Sequence, residues 1–330
     1  PSISGTLTVC AGSSSILTGS GTPAVNDAWT SSNPAVAIID NSGKVSGVTA
    51  GSVTITYTNV NGCSVTAAVT VNPLPVISGT TVVCAQSVIT LTATGGTAAT
   101  GNPWTSSNTA VATVNAAGEV TGVAAGTASI TWTNSSGCAT AVDVTVNAKP
   151  AISGTLTVCE GATITLTGSG TPATSGPWTS SATGVATIDA TGLVTGIAAG
   201  SSTITYTENT GCSITATVTV NIKPVISGPS EVCSGSNISL TATGNPAAAS
   251  PWSSADPTIA TVNDNGVVTG VSAGTAKINY TTAEGCSATY EVKVKALPST
   301  PASISGPVAV FEFTTQTYSV DAVSGAISYN

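Results

Sequence analysis

Short apolar runs alternate with polar positions along this chain, and the alternation has a period of two. From position 212 to 220, Cys212, Ile214, Ala216, Val218 and Val220 fall in one phase, and Ser213, Thr215, Thr217 and Thr219 in the other. That pattern predicts an antiparallel strand with one buried face, and it turns Cys212 inward. A second strand sets Val53, Ile55 and Tyr57 against Thr54, Thr56 and Thr58. Its inward counterparts recur as Ala128, Ile130 and Trp132, as Ser202, Ile204 and Tyr206, and as Ala276, Ile278 and Tyr280. Gly, Asn, Asp, Ser and Pro punctuate runs rich in Val, Ile and Thr, so many short strands and no helix are predicted. The segment DNSGKVSG from Asp40, with counterparts from Asn115, Asp189 and Asn263, supplies an Asx side chain and a glycine for a hairpin turn.

The same unit is written four times. Cysteines stand at Cys10 and Cys63, Cys84 and Cys138, Cys159 and Cys212, and Cys233 and Cys286, while Trp29, Trp104, Trp178 and Trp252 keep the same step. This divides the chain into residues 1–74, 75–149, 150–223 and 224–298, followed by residues 299–330. The fold class expected is all-β, a tandem of immunoglobulin-like sandwiches of about 74 residues each with one disulfide per module. Core positions are expected for the four repeated tryptophans, beside the disulfide, and for Trp132.

The run WTSSNPAVAIIDNSGKVSGVTAGSVTITYTN from Trp29, repeated from Trp104, Trp178 and Trp252, resembles the bacterial immunoglobulin-like group 2 module across all four units. The resemblance implies a β-sandwich of surface and secreted proteins, including adhesins of the intimin and invasin type, where the module commonly serves as a spacer. The added frame, P-x-I-S-G followed by V-C and later G-C, is similar to multi-repeat secreted proteins of Bacteroidetes type.

Composition narrows the function. Charged residues make up 6% of the chain, the six basic ones are all lysine, and the net charge is -8. Nucleic-acid binding, which needs clustered cations, is set aside. With no histidine in the chain the usual general base is missing, and no nucleophile with a partner base can be read from the spacing. The chain is therefore read as no enzyme, without cofactor or metal. Asp40, Asp189 and Asp264 lie in the turn repeat, where Asx caps are expected in preference to calcium ligation, since Asn115 and Asn263 hold equivalent places. Hydrophobic residues at 41% suffice to fold the chain, yet no apolar run is long enough to cross a bilayer. The opening at Pro1 in mid-pattern reads as a processed product or a piece of something longer.

Paired cysteines in small all-β modules point to disulfides and an extracellular or cell-surface location. Pairing within each unit, as Cys10 with Cys63, would remove chain entropy worth roughly 4 kcal/mol from the unfolded state. A rival pairing joins the second cysteine of one unit to the first of the next, as Cys63 with Cys84, and sequence alone leaves both open. Cys10 is out of phase with Leu7 and Val9, both read as inward, so the first strand must end or bulge there. Short proline-bearing linkers (Asn72 to Pro75, Asn147 to Pro150, Asn221 to Pro224) predict a semi-rigid array.

From Ser299 the pattern breaks. The frame restarts as Ile304, Ser305 and Gly306, but Phe311 stands where a first cysteine belongs. The segment is read either as the start of a divergent fifth module or as a strand-donating tail, with Val308, Val310, Phe311 and Phe313 as the candidate inter-subunit strand. The function expected is a structural or adhesive stalk or fibre segment of a bacterial surface protein. Its partners would be flanking domains or other copies of itself. The alternatives are a filament subunit joined by C-terminal strand addition and a glycan-binding array using exposed aromatics. The Thr54, Thr56 and Thr58 ladder could present a hydroxyl array to ice or glycan, but threonine is favoured on exposed strands in any case.

Overall fold

The computed structural model describes residues 1–300, 303–309, 312–313 and 315–323. Among them there is no helix, and every regular element is a strand. Contacts divide the chain into two compact units: Pro1–Pro150 with Glu208–Ser213, and Ala151–Thr207 with Ile214–Asn330.

The first repeat contains β1 (Ile3–Gly5), β2 (Thr8–Cys10), β3 (Ser14–Gly19), β4 (Trp29–Ser31), β5 (Ala37–Ile39), β6 (Lys44–Gly47), β7 (Gly51–Thr58) and β8 (Ser64–Asn72). They form two four-stranded sheets, ordered β2-β8-β7-β4 and β1-β3-β6-β5. The long β7–β8 hairpin is antiparallel from Gly51↔Val71 to Thr58↔Ser64. The short β2 runs parallel to the end of β8, with Thr8↔Thr70, Val9↔Val71 and Cys10↔Asn72 in register.

Between the sheets the predicted alternation becomes a core. Leu17, Ala37, Val45, Val53, Ile55, Tyr57, Val69 and Val71 are buried with Trp29. Each fully buried aliphatic side chain contributes about 1.5–3 kcal/mol. The Trp29 and Tyr57 rings pack with centroids 4.7 Å apart, and the Tyr57 hydroxyl donates to the Gly21 carbonyl at 3.1 Å. The other three repeats build equivalent clusters. The second puts Trp132 in the tyrosine place, with its ring centroid 6.4 Å from that of Trp104.

The turn between β5 and β6 shows why its residues recur. The Asp40 carboxylate accepts the backbone N–H groups of Ser42 (2.9 Å) and Lys44 (3.0 Å). Gly43 has φ +83°, and a side chain there would also run into the Leu17 carbonyl.

Leu7 departs from its expected inward orientation. It lies outside β2 and is 40% exposed, because β2 begins one residue later and presents Val9 alone to the core. In the C-terminal segment only Ile304–Ser305 and Ser319–Val320 pair as strands among the described residues.

Candidate functional site

Cysteine pairing within a module does not occur, and the expectation of one disulfide inside each module is corrected. Cys63 precedes the first residue of β8, whereas Cys10 lies beside its last residue, Asn72. Nine residues of strand separate those ends, roughly 30 Å, and a disulfide tolerates no more than about 7 Å between Cα atoms. The rival Cys63–Cys84 pairing fails as well. The bonds formed are Cys10–Cys138, Cys84–Cys212 and Cys159–Cys286, with Cα–Cα distances of 5.7, 5.7 and 5.6 Å. Each joins the first cysteine of one repeat to the second cysteine of the next, while Cys63 and Cys233 are free and exposed.

Each joint has two halves. One is the end of the short parallel strand. There the Cys10 carbonyl accepts the Ser13 N–H at 2.9 Å, the Ala11 N–H donates to the Asn72 carbonyl at 2.9 Å, and the Gly12 N–H donates to the Gly47 carbonyl at 2.9 Å. Gly47 must be glycine, because a Cβ would stand 2.8 Å from the Cys10 carbonyl oxygen and 2.9 Å from Val71. The cysteine therefore leaves the sheet at a fixed place, with Val9 buried beside it.

The other half is the hairpin loop. In the second repeat Asn134 accepts the Cys138 N–H at 3.0 Å and the Ser136 N–H at 3.1 Å through Oδ1. Its Nδ2 donates to the carbonyls of Pro73 (3.3 Å) and Gly95 (3.1 Å), so a side chain 2% exposed is fully bonded. Pro73 belongs to the linker, so Asn134 ties the loop to the junction. Thr140 adds a bond from its hydroxyl to the Pro75 carbonyl at 2.7 Å.

The residue four before the second cysteine is thus a structural position of its own: Asn59, Asn134, Glu208 and Thr282. Three of these, Asn134, Glu208 and Thr282, are buried polar groups. Sequence reading passed over them because their residue types differ. The constant spacing to cysteine was the signal available.

The four repeated tryptophans are 3–8% exposed, so none offers a face on which a sugar could stack. Asp40, Asn115, Asp189 and Asn263 each accept two backbone N–H groups within their own turn. The carboxyls of Asp40 and Asp189 lie below their ordinary pKa, chiefly through hydrogen bonds from the Ser42 and Thr191 hydroxyls. Among the described residues no cluster of three or more His, Cys, Asp or Glu could hold a metal ion. Among the described residues no helix is long and apolar enough to cross a membrane.

In the second unit an open groove of about 700 Å³ has Glu160, Ile197, Val225 and Thr289 in its lining. Val308 lies in a bend and Phe313 in a turn. Both are exposed and outside any strand, and Val310 and Phe311 fall outside the described residues.

Residues 2–71, 71–146, 144–220 and 222–292 each match the sequence profile of the bacterial Ig-like domain (group 2). Over 316 residues the chain is 32% identical to ice-binding protein 1 of Shewanella frigidimarina (strain NCIMB 400), a match covering 82% of this chain and 34% of that protein. The chain therefore spans about one third of that relative's length. Among solved structures, the C-terminal 282-residue fragment of intimin, in complex with the translocated intimin receptor's intimin-binding domain, is 20% identical. That match covers 45% of this chain and 65% of the fragment, at a TM-score of 0.31. Domains 1–6 of surface layer protein SbsC are 16% identical, covering 89% of this chain and 54% of that one, at a TM-score of 0.22.

Proposed function

Because the chain belongs to the bacterial Ig-like domain (group 2) family, we propose that it is a non-enzymatic spacer that carries tension within a surface or secreted protein. The observation that carries this reading is the placement of the disulfides across the junctions between repeats. Cys10–Cys138 and Cys159–Cys286 leave only residues 1–10, 138–159 and 286–330 in the shortest covalent path between the chain's ends. That path extends to roughly 260 Å, against roughly 1,100 Å for the unbridged chain. Cys84–Cys212 overlaps both bridged loops, so opening either of the other two bonds still leaves part of the chain bypassed. A disulfide inside each module would protect modules singly; these protect the connections. Disulfides of this kind persist in an oxidising compartment outside the cytoplasm.

Single-molecule stretching between the chain's ends tests the reading. The oxidised chain should stop extending near 260 Å, and reductant should release the remainder. An oxidised chain that extends as far as the reduced one would overturn it.

A second reading draws on the hydroxyl rows of the β2-β8-β7-β4 sheet. On its outer face Thr8, Thr70 and Ser52 align across three strands, as do Thr66, Thr56 and Thr30. Given the ice-binding relative, this face is proposed as an ice-contacting surface. Asp143 opposite Ser129 and Glu291 opposite Lys277 interrupt it in the second and fourth repeats. Thermal hysteresis that falls in a Thr56→Lys variant supports this reading, and its absence from the intact chain rejects it.

A further inference from the structure

Asparagine precedes glycine twice in the sequence, at Asn61–Gly62 and Asn265–Gly266. We propose that Asn61 is a modification site, at which the side-chain amide closes onto the Gly62 nitrogen and is lost as ammonia, and that packing around Gly266 withholds Asn265 from the same reaction.

Glycine favours this chemistry because it has no Cβ to shield its nitrogen or to restrict the backbone as the ring closes. In the step, Gly62 N bonds to Asn61 Cγ, the Cγ–Nδ2 bond breaks, and Nδ2 leaves as ammonia carrying the Gly62 proton. One water then opens the cyclic imide at either carbonyl, giving aspartate or isoaspartate. No oxidant or reductant takes part.

The two sites are local twins. Both lie in an Asn-x-Asn-Gly run. The Gly62 N–H donates to the Asn59 carbonyl at 2.9 Å and the Gly266 N–H to the Asn263 carbonyl at 3.0 Å. Asn59 Oδ1 accepts the N–H groups of Asn61 and Cys63 at 3.1 and 3.0 Å, and Asn263 Oδ1 those of Asn265 and Val267 at 3.0 Å each. Even the glycine φ values agree, at 76° and 78°. Hydrogen bonds therefore restrain the two nitrogens alike.

Packing separates them. Asn61 and Gly62 are both exposed, and a Cβ on Gly62 would meet nothing within 4 Å. Gly266 is buried, and a Cβ there would collide with the Leu240 carbonyl and stand 3.1 Å from the Trp252 ring. Its own carbonyl accepts the Leu240 N–H at 2.9 Å. Cyclisation turns the Asn–Gly peptide until its nitrogen faces the amide carbon. At Gly62 this rearranges an exposed loop, whereas at Gly266 it dislodges a residue wedged against the core, which requires the sandwich to open.

The exposure belongs to the loop and not to the first repeat. Where the loop cysteine is bonded across a joint, Ser136–Gly137, Thr210–Gly211 and Glu284–Gly285 hold the place of Asn61–Gly62. All of them are exposed, and a Cβ on any of those glycines likewise meets nothing within 4 Å. A neighbouring repeat covers the cysteine and leaves this corner bare. Isoaspartate at position 61 adds a backbone carbon between the two N–H groups that Asn59 Oδ1 receives, so the loop loses the spacing that holds it.

This is independent of the spacer reading. The whole chain is aged in warm, mildly alkaline buffer, once folded and once reduced in guanidinium, and the two Asn-Gly peptides are followed by mass spectrometry for the exchange of NH for O. In the folded chain Asn61 should convert at least about ten-fold faster than Asn265, the margin set by the opening that Gly266 needs. In the unfolded chain the two rates should converge to within a few-fold. Equal rates in the folded chain, an Asn61 that does not convert there, or a ten-fold gap that persists after unfolding would each overturn the proposal.

Discussion

The hairpin loops Asn59–Cys63 and Asn134–Cys138 share a sequence frame and a set of hydrogen bonds, but only the second meets a neighbouring repeat. In both, an asparagine Oδ1 accepts the N–H of the cysteine four residues on, at 3.0 Å. Cys138 is nevertheless buried against Cys10, and Asn134 spends its amide on the linker, whereas Cys63 is bare. The loop therefore takes its shape from its own repeat, and the joint is laid on a surface that exists without it. Folding within a repeat and fastening between repeats are separable properties, and each can be perturbed alone.

The largest separation should come from removing one joint. In a Cys10→Ser/Cys138→Ser chain the closed loop, spanning a sequence separation of 128, is lost. Loop entropy then lowers the stability of the first unit by up to about 5 kcal/mol. Amide protection along Ala139–Asn147 should persist at the level of Ser64–Asn72, as hydrogen exchange would show. Loss of that protection would mean that the loop is shaped by its disulfide, against the comparison.

The converse change acts inside one repeat. Trp104→Ala removes a core ring, and large aromatic truncations cost about 3–5 kcal/mol. Unfolding followed by exchange should show the ladder between Gly126–Thr133 and Ala139–Asn147 weakened, with Gly51–Thr58 and Ser64–Asn72 little changed. An equal loss in both repeats would show that the two cores fold as one.

The two properties were unequally legible in the sequence. Alternation such as Val53, Ile55 and Tyr57 fixes which face is buried, and the Asx-Gly turn at Asp40–Gly43 fixes where a hairpin closes, because both are local. The disulfide partners were misread because nearness along the chain was taken for nearness in space. Cys10 and Cys63 look paired by spacing, but β2 runs parallel to β8, which puts them at opposite ends of one sheet. Parallel pairing of a three-residue strand leaves no periodic trace. The position held by Asn134, Glu208 and Thr282 was missed because its chemistry changes from repeat to repeat while its place does not.

That position sharpens the comparison at smaller amplitude. Asn134→Ala deprives the Cys138 N–H of its acceptor and the Pro73 and Gly95 carbonyls of a buried donor, a loss of about 1–3 kcal/mol. Asn59→Ala removes only the acceptor for Asn61 and Cys63 at an exposed loop, and should cost less, within about 1 kcal/mol. Chemical denaturation of the two variants compares them directly. Equal costs would remove the assigned role of Asn134 at the junction.

The smallest effect lies in the β5–β6 turns, where repeats differ by one ionisable group. Asp40 and Asp189 are held below the ordinary aspartate pKa, first by hydroxyl hydrogen bonds from Ser42 and Thr191 and then by the backbone N–H groups of Lys44 and Leu193. A depressed folded pKa means that the unfolded chain takes up protons first as pH falls. The stabilisation is therefore complete above the unfolded-state pKa and disappears as pH drops through the folded one. Asn263 makes the same backbone bonds without titrating, to the N–H groups of Asn265 and Val267 at 3.0 Å each, and so provides the internal control. Asn115 is a poorer one, because its amide contacts the titratable Glu119. Acidification should accelerate amide exchange at Lys44 and Leu193 relative to Val267, after correction for intrinsic rates. An Asp40→Asn chain should bring Lys44 into line with Val267 while Leu193 keeps its acid response. If Lys44 stays acid-sensitive in that variant, the proton is taken up elsewhere and the carboxylate is not what holds the turn.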